Sequence, residues 1–270
     1  MSNLAFGGWS TATSTVTSGS RLAMMITPDR VSYFGLFGAP SRRTHGAHTV
    51  YVALESPFEI RVGGGARESA WLAFVPGNTP HEIASADRLI ADLLIEPESV
   101  HFPQSRVFPR LTVATRTAEY MRVRRGFEQW LAGNETLNPD PAAFDEFFFG
   151  TPLERRPLDP RIARAVQAIR AQPCEQFLAA DCARLTGLSF SRFVHLFKEE
   201  IGMTFRAFCA WKRARAALPH MTSACNLTNL AMQTGYPDST HFSHSIRRIF
   251  GLRPRDILAG SRRIALQYEL

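Results

Sequence analysis

A pattern of short helix, glycine turn and longer helix occurs twice in the second half of this chain. The first copy is LAADCARLTGLSFSRFVHLFKEEIG, Leu178 to Gly202, and the second is LTNLAMQTGYPDSTHFSHSIRRIFG, Leu227 to Gly251. Ala183 and Ala231 each stand four residues before a turn glycine, Gly187 or Gly235. A small side chain lets two helices approach closely, and glycine permits the tight turn between them. An apolar pair four residues apart follows each turn, Phe193/Phe197 and Phe242/Ile246, and sets one face of the second helix into a core. The turn glycines are 48 residues apart, which leaves Phe205–Leu218 as a helix joining two such units.

With those pairs buried, the other faces carry the chemistry. Ser191, Arg192, His195 and Lys198 lie on exposed faces in the first unit, and Thr240, Ser243, His244 and Arg247 in the second. These side chains can donate to phosphates or base edges. Arg248, Arg253 and Arg255 are placed for phosphate contact or solubility. Charge follows the same division. Residues 1–150 hold 13 Arg/Lys and 15 Asp/Glu, net −2, whereas residues 151–270 hold 18 and 9, net +9. A concentrated basic half suits a polyanion, because neutralised phosphates release counterions. Two recognition helices held side by side by a connector would enter successive major-groove segments, which recur about every 34 Å.

The first half has a different texture. Residues 1–20 are rich in Ser, Thr and Gly and read as a flexible leader. From 21 to 115 the runs SYFGLF, HTVYVAL, PFEIRV, SAWLAFV and RLIADLLI have strand length and are separated by APSRR, VGGGAR and PGNTP, which predicts a small antiparallel sheet or barrel. Residues 116–158 contain a helical segment, TAEYMRVRRGFEQWLAG, a short helix over Ala142–Phe148 and a linker. Asp159-Pro160 then caps the helix RIARAVQAIRA, with Ile162, Val166 and Ile169 on one face. Beyond Pro160 no strand signal is evident, and 259–270 reads as a tail.

The second half resembles the AraC/XylS family of transcription regulators over residues 159–258. The second unit shows that family's pattern as GYPDSTHFSHSIRRIFGLRP, with Gly235, Tyr236, Asp238, Phe242, Arg247, Gly251 and Pro254 in place; the first matches as GLSFSRFVHLFKEEIGMTFRAF, followed by WKRARAAL. The resemblance implies double-stranded DNA as partner of both units and contact with RNA polymerase. His244, Ile246 and Phe205 depart from the family's usual Arg, Phe and Pro. HGAHTVYVAL and FVPGNTPHEI resemble strands and a turn of the cupin-like sensor domains attached to many such regulators, which implies a small-molecule effector and permits a homodimer.

His45, His48 and His81 are candidates for an effector pocket in that domain. They make a poor metal set, because His45 and His48 have HxxH spacing, which points the two rings to opposite faces of a strand, and Glu55 sits beside a turn. No metal and no cofactor are expected. The four cysteines lack zinc spacing and suit a reduced compartment. There is no phosphate loop, GxSxG elbow or DxD pair, so the expectation is not an enzyme. No apolar run reaches membrane length, which predicts a cytoplasmic protein. The expected architecture is a mixed fold, a β-rich cupin-like domain followed by an all-α domain with two helix-turn-helix units at 159–258. Two rivals differ in kind: a protein-binding adaptor that retains the helical fold, and a metal-dependent cupin enzyme fused to a DNA-binding domain.

Overall fold

The computed structural model describes residues 22–36, 40–86, 89–101, 112–133, 137–222, 226–254, 257 and 264–268. The leader at 1–20, Cys225 and Arg255 lie outside the described residues. Ten strands form the first half: β1 Leu22–Ile26, β2 Arg30–Leu36, β3 Ser41–Arg43, β4 His48–Val52, β5 Phe58–Val62, β6 Glu68–Ala70, β7 Leu72–Val75, β8 His81–Ala84, β9 Leu89–Ile95 and β10 Thr112–Val113. Each of the five runs contributes to a strand. Helices α1 Ala118–Leu131 and α2 Pro141–Phe149 follow, then α3 Pro160–Ala171, α4 Ala179–Thr186, α5 Phe190–Ile201, α6 Phe205–Ala216, a 3-10 turn at Pro219–Thr222, α7 Leu227–Gln233 and α8 Ser239–Phe250. A last strand, β11 Ile264–Tyr268, closes the described chain.

The strands make two sheets, one in the order β10-β7-β4-β9-β2-β1-β11 and one in the order β3-β8-β5-β6. Alternation along each strand sorts the side chains. Tyr51, Ala73 and Val75 meet Phe58, Ile60 and Ile83 of the smaller sheet. Val50, Val52, Leu72 and Phe74 point the other way, onto Tyr120, Phe127, Phe144 and Phe148 of α1 and α2. Arg30 is buried in this layer and makes a bidentate pair with Asp145, both bonds 2.8 Å.

The reading that no strand follows Pro160 is corrected by β11, which pairs in parallel with β1 from Leu22↔Ile264 to Ile26↔Tyr268. Five residues are too short for alternation to stand out. The partner lies at the opposite end of the described chain, so nothing local marks the pairing.

The two halves share a core. Met24, Ile26, Val31 and Leu94 of the large sheet pack with Trp211 and Ala214 of α6, with Leu218 just beyond its end, and with Leu230, Phe242, Ile246 and Phe250 of the second unit. At about 1.5–3 kcal/mol for each large side chain fully buried, such a set holds the halves in one arrangement. The first unit has a separate core, made with Ile162, Val166 and Ile169 of α3.

Charges are buried at the same junction. Lys212 on α6 donates to Glu96 and Glu98, just after β9. Trp211 Nε1 donates to Glu96 Oε2 at 2.9 Å, and Arg215 Nε lies 2.7 Å from Glu96 Oε1. Burial pushes the Glu96 carboxyl up, but Lys212 and Arg215 outweigh it and hold it below the usual range. Glu98 is raised by burial and by the charge of Glu96 beyond what Lys212 offsets.

Lys212→Met leaves this acidic pair without its ammonium and is expected to destabilise the protein by about 3–5 kcal/mol at neutral pH in urea melts. Arg67→Met, at an ion pair more than half exposed on each side, is expected to cost no more than about 1 kcal/mol. Equal effects of the two substitutions would remove the cluster from its place in the fold.

Candidate nucleic-acid interface

Each unit is built by the same local rules. Gly187 and Gly235 leave α4 and α7 at φ +69° and +75°, the left-handed conformation that a side chain disfavours. The residue before each glycine is a buried threonine whose hydroxyl donates back to the helix, Thr186 to Cys182 O at 2.8 Å and Thr234 to Leu230 O at 2.7 Å. Ser189 and Asp238 then cap α5 and α8 by accepting backbone N–H groups, so neither Ser191 nor Thr240 serves as the cap. Phe193, Phe197, Phe242 and Ile246 are fully buried.

Counted from the caps, the helices correspond residue by residue: Ser191 with Thr240, His195 with His244, Lys198 with Arg247. All six are exposed, as is Arg192, while Ser243 is half-buried. The second turn is one residue longer, so Arg192 corresponds to His241. That residue is missing from the sequence-derived set, and the repeated cap position is the signal that finds it. Its side chain is 69% exposed, and its Nδ1 lies 2.8 Å from Asp238 Oδ2. Backbone and side-chain hydrogen bonds from His241 hold the Asp238 carboxyl below its ordinary range. Arg247 and Arg248 occupy the last turn of α8, where cations complement the helix dipole. Arg248 differs from the others in lining a cleft toward the β domain.

The β domain touches this face directly. Thr44 N donates to the carbonyls of Arg248 and Ile249 at 3.1 and 3.2 Å, which binds the end of α8. The next residue, His45, lies 5.7 Å from Phe250 and 6.1 Å from Trp211, ring centre to ring centre. Its other side faces His81 at 5.6 Å. His81 Nε2 is 2.7 Å from Tyr51 Oη and its Nδ1 is 2.9 Å from Thr79 O.

Of the three histidines, then, His45 and His81 meet, while His48 stacks on Phe74 and accepts from Gly77 N. Burial, then His81 and Arg43, keep His45 well below its ordinary pKa. Burial lowers His81 to about 4, and burial with Arg156 lowers His48 to about 3. All three are neutral at physiological pH. Burial raises the Asp92 carboxyl to about 7, with Arg43 offsetting only part. Among the described residues no three His, Cys, Asp or Glu side chains are grouped to hold a metal, and no helix is long and apolar enough to cross a membrane.

Two outcomes follow from this geometry. A Cβ at Gly187 would meet open space, whereas one at Gly235 would come 1.9 Å from the carbonyl oxygen of Cys174. Gly187→Ala should therefore cost only the backbone strain, about 1–2 kcal/mol, and Gly235→Ala clearly more, in denaturant titrations; equal costs would contradict the close approach. Asp92 keeps its proton in the native state up to about pH 7, while the unfolded chain loses it near 3.8. Stability contributed through this group thus falls as pH rises from about 4 to 7 and is flat above. Asp92→Asn should stabilise relative to the parent by up to roughly 4 kcal/mol at pH 8, with the difference vanishing near pH 4. A pH-independent difference would show that the carboxyl is ionised throughout.

Residues 182–260 match the family described as "Helix-turn-helix domain". The chain is similar to the HTH-type transcriptional regulator AlkR of Acinetobacter baylyi, 29% identical over 99 residues, which is 36% of this chain and 32% of AlkR. It thus spans about a third of that relative's length. Among solved structures it is similar to apo ToxT K231A from Vibrio cholerae, with TM-score 0.61 and 10% identity over 87% of this chain and 98% of that one. A second ToxT structure, bound to (E)-4-(8-methylnaphthalen-1-yl)but-3-enoic acid, gives TM-score 0.55 and 9% identity over 86% and 98%. At these identities the likeness speaks for the fold, and it extends over the β domain as well as the helical half. Over residues 182–260 the chain thus carries a helix-turn-helix domain, set in a two-part architecture that shares the fold of ToxT.

Proposed function

We propose that the protein is a sequence-specific regulator of transcription that binds double-stranded DNA through α5 and α8 and is controlled by a small effector. The observation that carries this reading is the pair of capped helices, each with its apolar face fully buried and a row of Ser/Thr, His and Arg/Lys side chains exposed, on the half with net charge +9. Arg192, His195 and Lys198 in one helix and His241, His244 and Arg247 in the other supply donors of the kind that read base edges and hold phosphates. The ToxT structure bound to a naphthyl butenoic acid supports an organic effector for this architecture. Contact with RNA polymerase, assembly as a homodimer and action in the cytoplasm belong to the same reading, as does the absence of enzyme chemistry.

The test is selection of duplexes from a random library with the full-length protein at physiological salt. Enrichment of a site with two conserved blocks about one helical turn apart is expected. Arg192→Ala and Arg247→Ala should each weaken binding to that site, by about 1–3 kcal/mol if the lost contact is bidentate to a base, with unchanged melting. A folded protein that enriches no duplex, with or without candidate effectors, would move the assignment to the protein-binding adaptor.

A further inference from the structure

Counted from the caps Ser189 and Asp238, the first helical residue is Phe190 in α5 and Ser239 in α8, and four places on stand Val194 and Ser243. Side chains four positions apart lie one above the other on a helix, so each pair forms a row. The row ends in a cation in both helices, Lys198 or Arg247, and runs beside Ser191 and His195 in α5 and beside Thr240 and His244 in α8. The two helices thus agree in their polar row and differ in its neighbour, which is apolar in α5 and hydroxylated in α8. Phe190 is 58% exposed and takes no place in the core that Phe193, Phe197 and Phe205 make with α3. Val194 packs against that core and is half-buried. Among the described residues Phe190 is the one aromatic side chain in the set of exposed large hydrophobics. Ser189 already caps the helix by accepting from Arg192 N at 3.3 Å, so the ring serves neither the helix end nor the core.

The N-terminal residues of a recognition helix are those that meet base edges in the major groove. The apolar feature of that groove is the C5-methyl group of thymine, which apolar side chains including Phe contact, whereas Ser and Thr hydroxyls hydrogen-bond to polar groups of the base edges. A protein partner is the rival cover for an exposed ring, but the neighbours Ser191, His195 and Lys198, on a half with net charge +9, favour the duplex. We propose that Phe190, with Val194 behind it, reads thymine methyl groups. The DNA block met by α5 is then selected for thymine by apolar contact, while α8 reads its block through hydrogen bonds. The proposal deepens the regulator reading and rests on it. It makes the two blocks of a site chemically unequal although the two units share a fold, and that inequality fixes the direction in which the chain lies along the duplex.

The test starts from the duplex that the full-length protein selects. Each thymine of that site is replaced in turn by deoxyuridine, which keeps every hydrogen-bonding group and lacks only the methyl, and affinity is read by fluorescence anisotropy. A loss of about fourfold for each contacted methyl, the weight of one buried CH₂, is expected at thymines of one block and none in the other. Phe190→Ser, with unchanged melting, should bind the parent site about as weakly as the parent protein binds the deoxyuridine site, and should no longer distinguish the two. Selection repeated with that variant should lose its thymine preference in the same block alone. A site without thymine, deoxyuridine tolerated throughout, sensitivity spread over both blocks, or a Phe190→Ser protein that still tells thymine from deoxyuridine overturns the proposal. The deoxyuridine scan uses the unaltered protein, so it decides even where the variant does not fold. Failures of the two readings stay distinct. A protein that enriches no duplex loses the regulator reading and the thymine assignment with it, whereas one whose selected site is indifferent to deoxyuridine keeps the regulator reading and loses the thymine assignment alone.

Discussion

Lys212 sits in the junction of the two halves with Glu96 and Glu98, and the placement of α5 and α8 depends on it. Removing an ammonium and two carboxylates from water is expensive, and their mutual attraction offsets that cost only when the geometry is closely held. Trp211 and Arg215, on either side in sequence, complete the coordination of Glu96. About one turn of α6, Trp211 to Arg215, therefore recognises one loop of the β domain. Because α6 is also the rod between the two units, whatever fixes α6 fixes their common frame. An apolar junction of equal area could bind as tightly but would tolerate sliding, whereas a buried ion cluster has one register.

The two units share a fold and differ in attachment. The second continues its core into the large sheet and is gripped at the end of α8 by Thr44, while the first closes its core on α3. His45 stands between the interior of the β domain, where it meets His81, and the rings of Phe250 and Trp211. A change inside the β domain thus reaches the second unit by direct packing, and the first through the connector and through Arg156, whose backbone N–H donates to Ser99 O and whose side chain donates to Glu200 O on α5. Allosteric influence needs such a contiguous element that both sites can bias, and the segment from Arg43 to Ala47 is placed to be one.

Much of the helical half is legible in the sequence because its determinants are local. The Asp159 cap, the turn glycines and four-residue apolar spacings such as Phe193/Phe197 depend on neighbours within a few positions and appear where the pattern puts them, whereas α5 and α8 are capped by Ser189 and Asp238. The β half is legible as runs but not as pairings: HTVYVAL is recognisably a strand, yet nothing in it names β7 and β9 as its neighbours. The same limit hides β11, whose partner is β1, and the Lys212 cluster, whose members are more than a hundred residues apart. At the interface, the exposed residues of α5 and α8 follow from helical periodicity. His241 escapes because the second turn is one residue longer, an insertion that shifts the correspondence when it is counted from the glycine. The meeting of His45 with His81, and the separation of His48 from both, are tertiary facts that HxxH spacing only partly anticipates.

The parallel pairing of β1 with β11 has a consequence for how the chain can be divided. The large sheet is finished by a strand that lies beyond the second unit, so the boundary between the β half and the helical half is not a place where the polypeptide can be cut cleanly. A fragment ending in the linker would carry β1 with a bare hydrogen-bonding edge, and with Met24, Ile26, Val31 and Leu94 stripped of the helices that cover them. Open edges flanked by apolar side chains recruit other strands. The excised β half is thus inherently self-associating, and oligomers of such a fragment would report on the cut rather than on the assembly of the intact molecule. The helical half loses less, since α3 travels with the first unit and keeps that core whole.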